Sequence, residues 1–152
     1  MSWLRFATAL VLLVAVAAVG QETDVPEAVS EDSELTLEIE GAVTARLRII
    51  VSETLNGLII EKDGETYHFD MPLEECLSLW EYCLHRNALS LGDATAERLF
   101  PDQSRFVLTF RIGSDVHRFS IDGIDDLDDP RYREVVRAIL SLCQRYYPEL
   151  EQ

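Results

Sequence analysis

The sequence of 152 residues lacks the short motifs that bind phosphates or activate a nucleophile. Gly-x-Ser-x-Gly, Gly-x-Gly-x-x-Gly and the phosphate-loop pattern are all absent. The three cysteines form no Cys-x-x-Cys pair, which argues against a redox couple and a zinc knuckle. We therefore predict no catalytic residue, no bound cofactor and no enzymatic activity, with an extracellular enzyme of unrecognised site as an alternative.

Cationic residues are also scarce. The chain has 13 Lys and Arg against 28 Asp and Glu, for a net charge of −15. Such a surface repels nucleic acid and anionic lipid headgroups, so neither is expected as a partner. The simplest interpretation of the charge is solubility, but it would also attract cations or a basic protein.

The N-terminus has the pattern of a secretory signal. Arg5 precedes an apolar run, residues 7–19, which ends in Ala18-Val19-Gly20 with small residues at the positions that a signal peptidase reads. We predict cleavage before Gln21, export to the periplasm or medium, and no stable membrane insertion afterwards. The alternative is an uncleaved N-terminal anchor, although the run is short of the roughly 20 residues of a spanning helix.

Two further segments follow the signal. Residues 21–33 are polar and acidic without an apolar period, which predicts a flexible tether. Residues 34–152 are long enough for one modest core, so we predict a single domain there.

Alternation of apolar and polar residues predicts six strands in this domain. Asn56-Gly57 and Asp63-Gly64 are typical of turns between strands. The predicted strands centre on residues 35–39, 45–51, 58–61, 66–69, 105–112 and 117–121.

Helical spacing predicts two helices. The first runs from about Pro72 to Asn87, and Asp129 caps a second that begins at Pro130 and ends before Pro148. The expected buried face of the first helix is Leu73, Leu77, Trp80, Leu84 and Ala88. That of the second is Tyr132, Val135, Val136, Ile139, Leu142, Cys143 and Tyr146.

This order of four strands, helix, two strands, helix indicates an α+β fold. We expect an antiparallel sheet with both helices packed on one face and a polar opposite face.

The acidic loop after the last strand is the most suggestive site. Asp122, Asp125, Asp126 and Asp128 are a candidate calcium site, because calcium prefers flexible carboxylate-rich loops. Their spacing does not match an EF-hand, so we favour a solvated loop and predict no dedicated metal site.

The histidines and aromatic residues give weaker signals. His68, His85 and His117 share no ligand-like spacing, so each is expected at the surface or a sheet edge. Trp80 is expected in the core. Tyr146-Tyr147 is a candidate anchor for a partner, with Tyr147 the more exposed of the two.

Export would permit a disulfide, and an odd number of cysteines leaves at least one thiol free. Cys76 and Cys83 lie seven residues apart on one helix, too far for a bridge. If the helices are neighbours, Cys143 is a candidate to pair with Cys76 or Cys83; the other interpretation is that all three are buried apolar thiols.

The layout carries a resemblance. It runs from Pro72-Leu-Glu-Glu through an apolar helix, Asn87-Ala-Leu-Ser-Leu and Asp102-Gln-Ser-Arg-Phe-Val-Leu-Thr-Phe-Arg to a hairpin, an acidic loop and a closing helix. Over roughly residues 35–146 this order resembles small bacterial domains of unknown function and is similar in outline to emfourin-type inhibitors of thermolysin-like metalloproteases. The resemblance implies an extracellular protease inhibitor, without assigning an inhibitory residue. Our first expectation is an exported protein-binding or envelope-associated domain.

Overall fold

The computed structural model describes residues 32–52 and 56–151. The predicted signal sequence, 1–20, and most of the predicted tether lie outside these residues. The described part contains seven strands and two α-helices, so the α+β class is confirmed. The elements are β1 (Ser33–Glu40), β2 (Ala45–Val51), β3 (Asn56–Lys62), β4 (Glu65–Asp70), α1 (Leu73–His85), β5 (Ala94–Thr95), β6 (Arg105–Ile112), β7 (Asp115–Asp122) and α2 (Pro130–Tyr146).

The strands form one sheet in the order β4-β3-β2-β1-β6-β7-β5. Every neighbouring pair is antiparallel except β5 and β7, which are parallel. The predicted chain order lacked β5, because two residues of a polar segment carry no alternating pattern. This short strand places the segment after α1 beside the end of β7.

Register separates the sheet into an apolar and a polar face. Leu37 lies opposite Leu47 and Leu108, whereas Thr36, one residue earlier, lies opposite Arg48 and Thr109. Because successive side chains point to opposite faces, this register gathers the apolar residues on one side.

Aromatic contacts link both helices to the apolar face. Trp80 of α1 is fully buried and meets Phe110 edge-on, with ring centroids 5.6 Å apart. From α2, Tyr132 meets Phe119 at 6.0 Å. Such aromatic pairs contribute about 0.5–1.5 kcal/mol each beyond the area they bury.

The predicted buried face of the first helix is confirmed only in part: Trp80 and Ala88 are buried, and Leu77 and Leu84 are partly buried against the core. Cys76, Leu79, Trp80 and Cys83 are buried, while Leu73 is exposed. The spacing of these four is as helical as that of the leucines, and cysteine packs as a small apolar residue. Burial follows the stripe that includes the cysteines, so the helix is rotated relative to the leucine pattern. On α2 the predicted face is buried, with Tyr146 at its half-buried end.

The two turn signals have different outcomes. Asp63 and Gly64 both have positive φ, 55° and 81°, as the hairpin between β3 and β4 requires. The turn predicted at Asn56-Gly57 is wrong, because both residues begin β3. A Cβ at Gly57 would lie 3.0 Å from the carbonyl oxygen of Phe69, so this glycine permits close strand pairing.

The ends of α2 follow the sequence closely. The Asp129 carboxylate accepts a hydrogen bond from the Arg131 backbone N–H at 3.0 Å, and Pro130 occupies the first turn. After α2, a 3₁₀ turn at Pro148–Glu151 is tied to β3, because Lys62 Nζ donates to the Glu149 carbonyl at 2.7 Å.

Candidate interaction surface

The loop between β5 and β6 exposes two consecutive large apolar side chains. Leu99 and Phe100 are 56% and 54% exposed. The other exposed large apolar residues of the described part are isolated along the chain: Leu73, Leu89 and Val116. Single exposed apolar residues are ordinary, whereas an adjacent exposed pair is a candidate contact surface.

Gln103 braces this loop. Its side-chain oxygen accepts a hydrogen bond from the Phe100 N–H at 3.2 Å, and its own N–H donates to the Phe100 carbonyl at 3.1 Å. Pro101 occupies the second position of the resulting turn, where its fixed φ is favourable. The loop is therefore held in one shape while its apolar side chains stay in solvent.

The acidic loop lies directly against this braced loop. Gly123 has φ +72°, and a Cβ there would lie 2.7 Å from the Ala96 Cβ and 3.0 Å from the Leu99 Cδ2. The Gln103 side-chain amide donates to Asp126 at 3.3 Å. We call residues 97–102 and 123–128 together the tip surface, an apolar pair bordered by carboxylates.

The carboxylates of the candidate calcium site do not converge. Asp122 pairs with Arg105 at 3.7 Å and Asp125 with Arg137 at 3.7 Å, while Asp126 accepts from Gln103. Asp128 is exposed. Among the described residues no group of three His, Cys, Asp or Glu side chains is arranged to hold a metal ion.

Asp129, next to this loop, caps the N-terminus of α2. The Arg131 side chain and backbone N–H hold the pKa of Asp129 below its usual value. Its carboxylate is thus ionised at the positive end of α2, which favours the helix start.

The histidines lie apart. His68 is exposed on β4, and His85 is an exposed neighbour of Glu81, 3.5 Å away. His117 lies where β7 pairs only with β6, in line with the expected sheet edge; it is half-buried, with Nε2 2.7 Å from the Leu91 carbonyl oxygen. It therefore ties β7 to the segment that follows α1.

Tyr146 and Tyr147 both make contacts within the domain. Tyr147 is half-buried against Tyr67, with ring centroids 4.8 Å apart, and the Tyr146 hydroxyl donates to Glu75 at 2.8 Å. Burial, followed by the Glu75 carboxylate, raises the pKa of Tyr146. The expectation that Tyr147 is an exposed anchor is therefore wrong, because it packs the C-terminal segment onto β4.

All three cysteines are free and buried in the structure. The candidate bridge from Cys143 to Cys76 or Cys83 is not formed, and no two of these cysteines lie at disulfide distance; the other interpretation, three buried thiols, agrees with the structure. Burial raises the pKa to about 11 for Cys76 and about 12 for Cys83 and Cys143. The thiols act as core side chains and are poor nucleophiles near neutral pH.

The polar face of the sheet carries a lattice of ion pairs. Glu34 joins Arg48 at 2.9 Å and Arg111 at 3.0 Å, and Glu38 joins Arg46 at 3.1 Å and Arg118 at 3.7 Å. Hydrogen bonding from Arg48 lowers the pKa of Glu34. These pairs satisfy one another within the sheet, so the face has little unbalanced charge to offer a ligand.

Two open concavities lie away from the tip surface. One, of about 470 Å³, lies beside the hairpin of β3 and β4, where Arg46 already pairs with Glu38 and Glu61. The other, of about 550 Å³, is a groove between α1 and α2 with Leu79 and Leu142 in its lining.

Sequence reasoning missed Leu99 and Phe100. The available signal was a Leu-Phe-Pro run in an irregular polar stretch, where no neighbouring strand or helix period provides a burial site. The proximity of the acidic loop has no sequence signal, because it depends on the parallel pairing of β5 with β7.

Comparison with known proteins adds no assignment: no family model matches the chain, and no curated protein is significantly similar to it in sequence. The helices in the described ranges are all too short or too polar to cross a lipid bilayer.

Proposed function

We propose that this chain is an exported, non-enzymatic domain that binds a protein partner through the tip surface. The observation that carries the proposal is the adjacent exposed pair, Leu99 and Phe100, on a loop that Gln103 holds in shape. Protein interfaces are enriched in aromatic side chains such as phenylalanine, and exposed apolar patches mark interaction sites. A loop that is already ordered loses less conformational entropy when it binds.

Capture from a culture of the producing organism tests the proposal. Protein 21–152 is immobilised beside a Leu99→Ser/Phe100→Ser variant and a Leu73→Ser/Val116→Ser control, and the retained proteins are compared by quantitative mass spectrometry. The control removes two similarly exposed apolar side chains, 45% and 61% exposed, from other surfaces. We expect at least one captured protein to be retained equally by wild type and by the control but not by the Leu99→Ser/Phe100→Ser variant, which we call the tip variant. A retained set that is the same for all three proteins would contradict the proposal.

Export is a separate part of the proposal and rests on the apolar run before Gln21. N-terminal sequencing of protein from the medium or periplasm should begin at Gln21. Intact Met1 on membrane-bound protein would instead indicate an uncleaved anchor.

Protease inhibition is a second candidate, favoured by the exposed Leu99 and Phe100 on a loop that Gln103 braces. An ordered loop with exposed apolar side chains is suited to a protease cleft, and the element order is similar to that of emfourin-type inhibitors. The test is the activity of thermolysin against a chromogenic peptide in the presence of protein 21–152. Inhibition that disappears in the Leu99→Ser/Phe100→Ser variant supports this candidate, and full thermolysin activity at micromolar protein opposes inhibition of this protease.

We also propose that α1 and α2 lie side by side and antiparallel on the apolar face. Glu75, at the start of α1, bonds Tyr146 at the end of α2, and Arg86, just after α1, bonds Glu134 near the start of α2 at 2.9 Å. A double-mutant cycle with Glu75→Gln and Tyr146→Phe should show coupling of about 0.5–1.5 kcal/mol. Strictly additive effects would contradict this arrangement.

A further inference from the structure

We infer that the partner presents a basic segment with apolar side chains to the tip surface, an inference that rests on the proposed function above. The charge around Leu99 and Phe100 carries it. Within the part of the chain that the structure describes, four carboxylates of this surface have no ion pair, and Arg98 is its one cation without an ion pair. The four are Glu97, Asp102, Asp126 and Asp128.

Exposed carboxylates without an ion pair also occur elsewhere in the described residues, for example at Asp70, Glu74 and Asp115, but the four at the tip surface border the exposed apolar pair. The neighbouring carboxylates Asp122, Asp125 and Asp129 are each paired with an arginine. On the polar sheet face the glutamates are likewise paired with arginines. Beside the exposed apolar pair, four carboxylates without an ion pair outnumber the two nearby cations, Arg98 and Arg133, the second of which donates to the Asp125 carbonyl at 2.8 Å. This excess of negative charge favours lysine or arginine on the partner.

The same charge argues against two other occupants. A second copy would bring its own unpaired carboxylates against these, and like charges across an interface are costly. An anionic membrane surface would attract the apolar pair but repel the carboxylates at its border. A basic protein segment satisfies both features of the tip surface at once.

A random peptide library is the first probe. Displayed 12-residue peptides are selected on immobilised protein 21–152 and counter-selected on the Leu99→Ser/Phe100→Ser variant. We expect the surviving peptides to be enriched in lysine and arginine around apolar residues. Peptides that need the apolar pair but show no excess of cations would overturn the inference and leave the proposed function standing. If no peptide depends on Leu99 and Phe100, both fail.

Association kinetics of one synthetic selected peptide then test the charge itself. The charge variant Glu97→Gln/Asp102→Asn/Asp128→Asn leaves Asp126 in place, because Asp126 braces the loop through Gln103. Its control, Asp70→Asn/Glu74→Gln/Asp115→Asn, makes the same change in net charge at exposed positions elsewhere.

We expect the association rate of wild type to fall about tenfold between 50 and 500 mM NaCl, because salt screens electrostatic steering. The charge variant should bind about fivefold more slowly at low salt and depend less on salt, while the control changes by less than about twofold. Equal effects of both variants would overturn the inference. Binding of protein 21–152 to phosphatidylglycerol vesicles through Leu99 and Phe100 would also overturn the inference, because it would show that the tip surface binds lipid.

Discussion

Replacement of Gly123 by alanine should destabilise the domain through two effects that add at one position. The residue has φ +72°, and a left-handed conformation costs a non-glycine residue about 1–2 kcal/mol. The added Cβ would also lie 2.7 Å from the Ala96 Cβ and 3.0 Å from the Leu99 Cδ2. Extra atoms forced into a packed site cost about 1–3 kcal/mol, so the expected loss is about 2–5 kcal/mol.

Two other glycines separate these contributions. Gly64 has φ +81° with no atom within 4 Å of an added Cβ, so Gly64→Ala should show the conformational cost alone, about 1–2 kcal/mol. Gly92 has an ordinary φ and equally open space. Gly92→Ala should therefore be neutral or stabilising by up to about 1 kcal/mol, because alanine restricts the unfolded chain.

Urea unfolding of protein 21–152 measures the stability of the three glycine variants relative to wild type. Trp80 is the only tryptophan in these residues and is fully buried, so its fluorescence reports loss of the core. The expected order of stability is Gly92→Ala, wild type, Gly64→Ala, Gly123→Ala. If Gly123→Ala lowers the free energy of unfolding by no more than Gly64→Ala does, the close contact of Gly123 with Ala96 and Leu99 is wrong.

Three further outcomes are expected. Glu34→Gln should lower the free energy of unfolding by about 1–2 kcal/mol at pH 7. The pKa of Glu34 is lower in the folded protein than its usual value of 4.5, so the ionised carboxylate stabilises the fold above pH 4.5 and loses this effect as the pH falls through the folded-state pKa. The difference from wild type should shrink as the pH falls below 4.5 in acid-denaturation curves, and a difference that does not depend on pH would contradict the pairing. The thiols of the native protein should not react rapidly with Ellman's reagent at pH 8, because all three are buried. In guanidinium without reductant, three thiols per chain should react, and fewer than three would indicate a disulfide. Leu99→Ser/Phe100→Ser should change stability by less than about 0.5 kcal/mol, because both side chains are mostly exposed, and a larger loss in thermal melts would assign them to the core.

Much of the fold follows from local patterns that were readable in the chain. The alternation at Leu35, Leu37 and Ile39 needs only one buried sheet face, and the Asp63-Gly64 turn needs only its local φ preference. The start of α2 likewise depends on Asp129 and Pro130 alone. These features are local, so no knowledge of the tertiary fold was required to predict them.

What was missed depends on tertiary packing. Helix α1 has two stripes at helical spacing, and only packing against Phe110 shows that the stripe of Cys76, Trp80 and Cys83 is buried. Gly57 has the sequence of a turn, but it pairs with strands on both sides. The tip surface joins segments more than 20 residues apart, so the pattern within either segment could not reveal it.

The most direct test of the central claim is the dissociation constant of the captured partner for three purified proteins: wild type 21–152, Leu99→Ser/Phe100→Ser and Leu73→Ser/Val116→Ser. Burying a large apolar side chain contributes about 1.5–3 kcal/mol, so losing two from an interface should weaken binding by at least tenfold. The account predicts this loss for the tip variant, with wild-type affinity for the control. Equal affinity of the tip variant and wild type would contradict the assignment of the tip surface as the binding site.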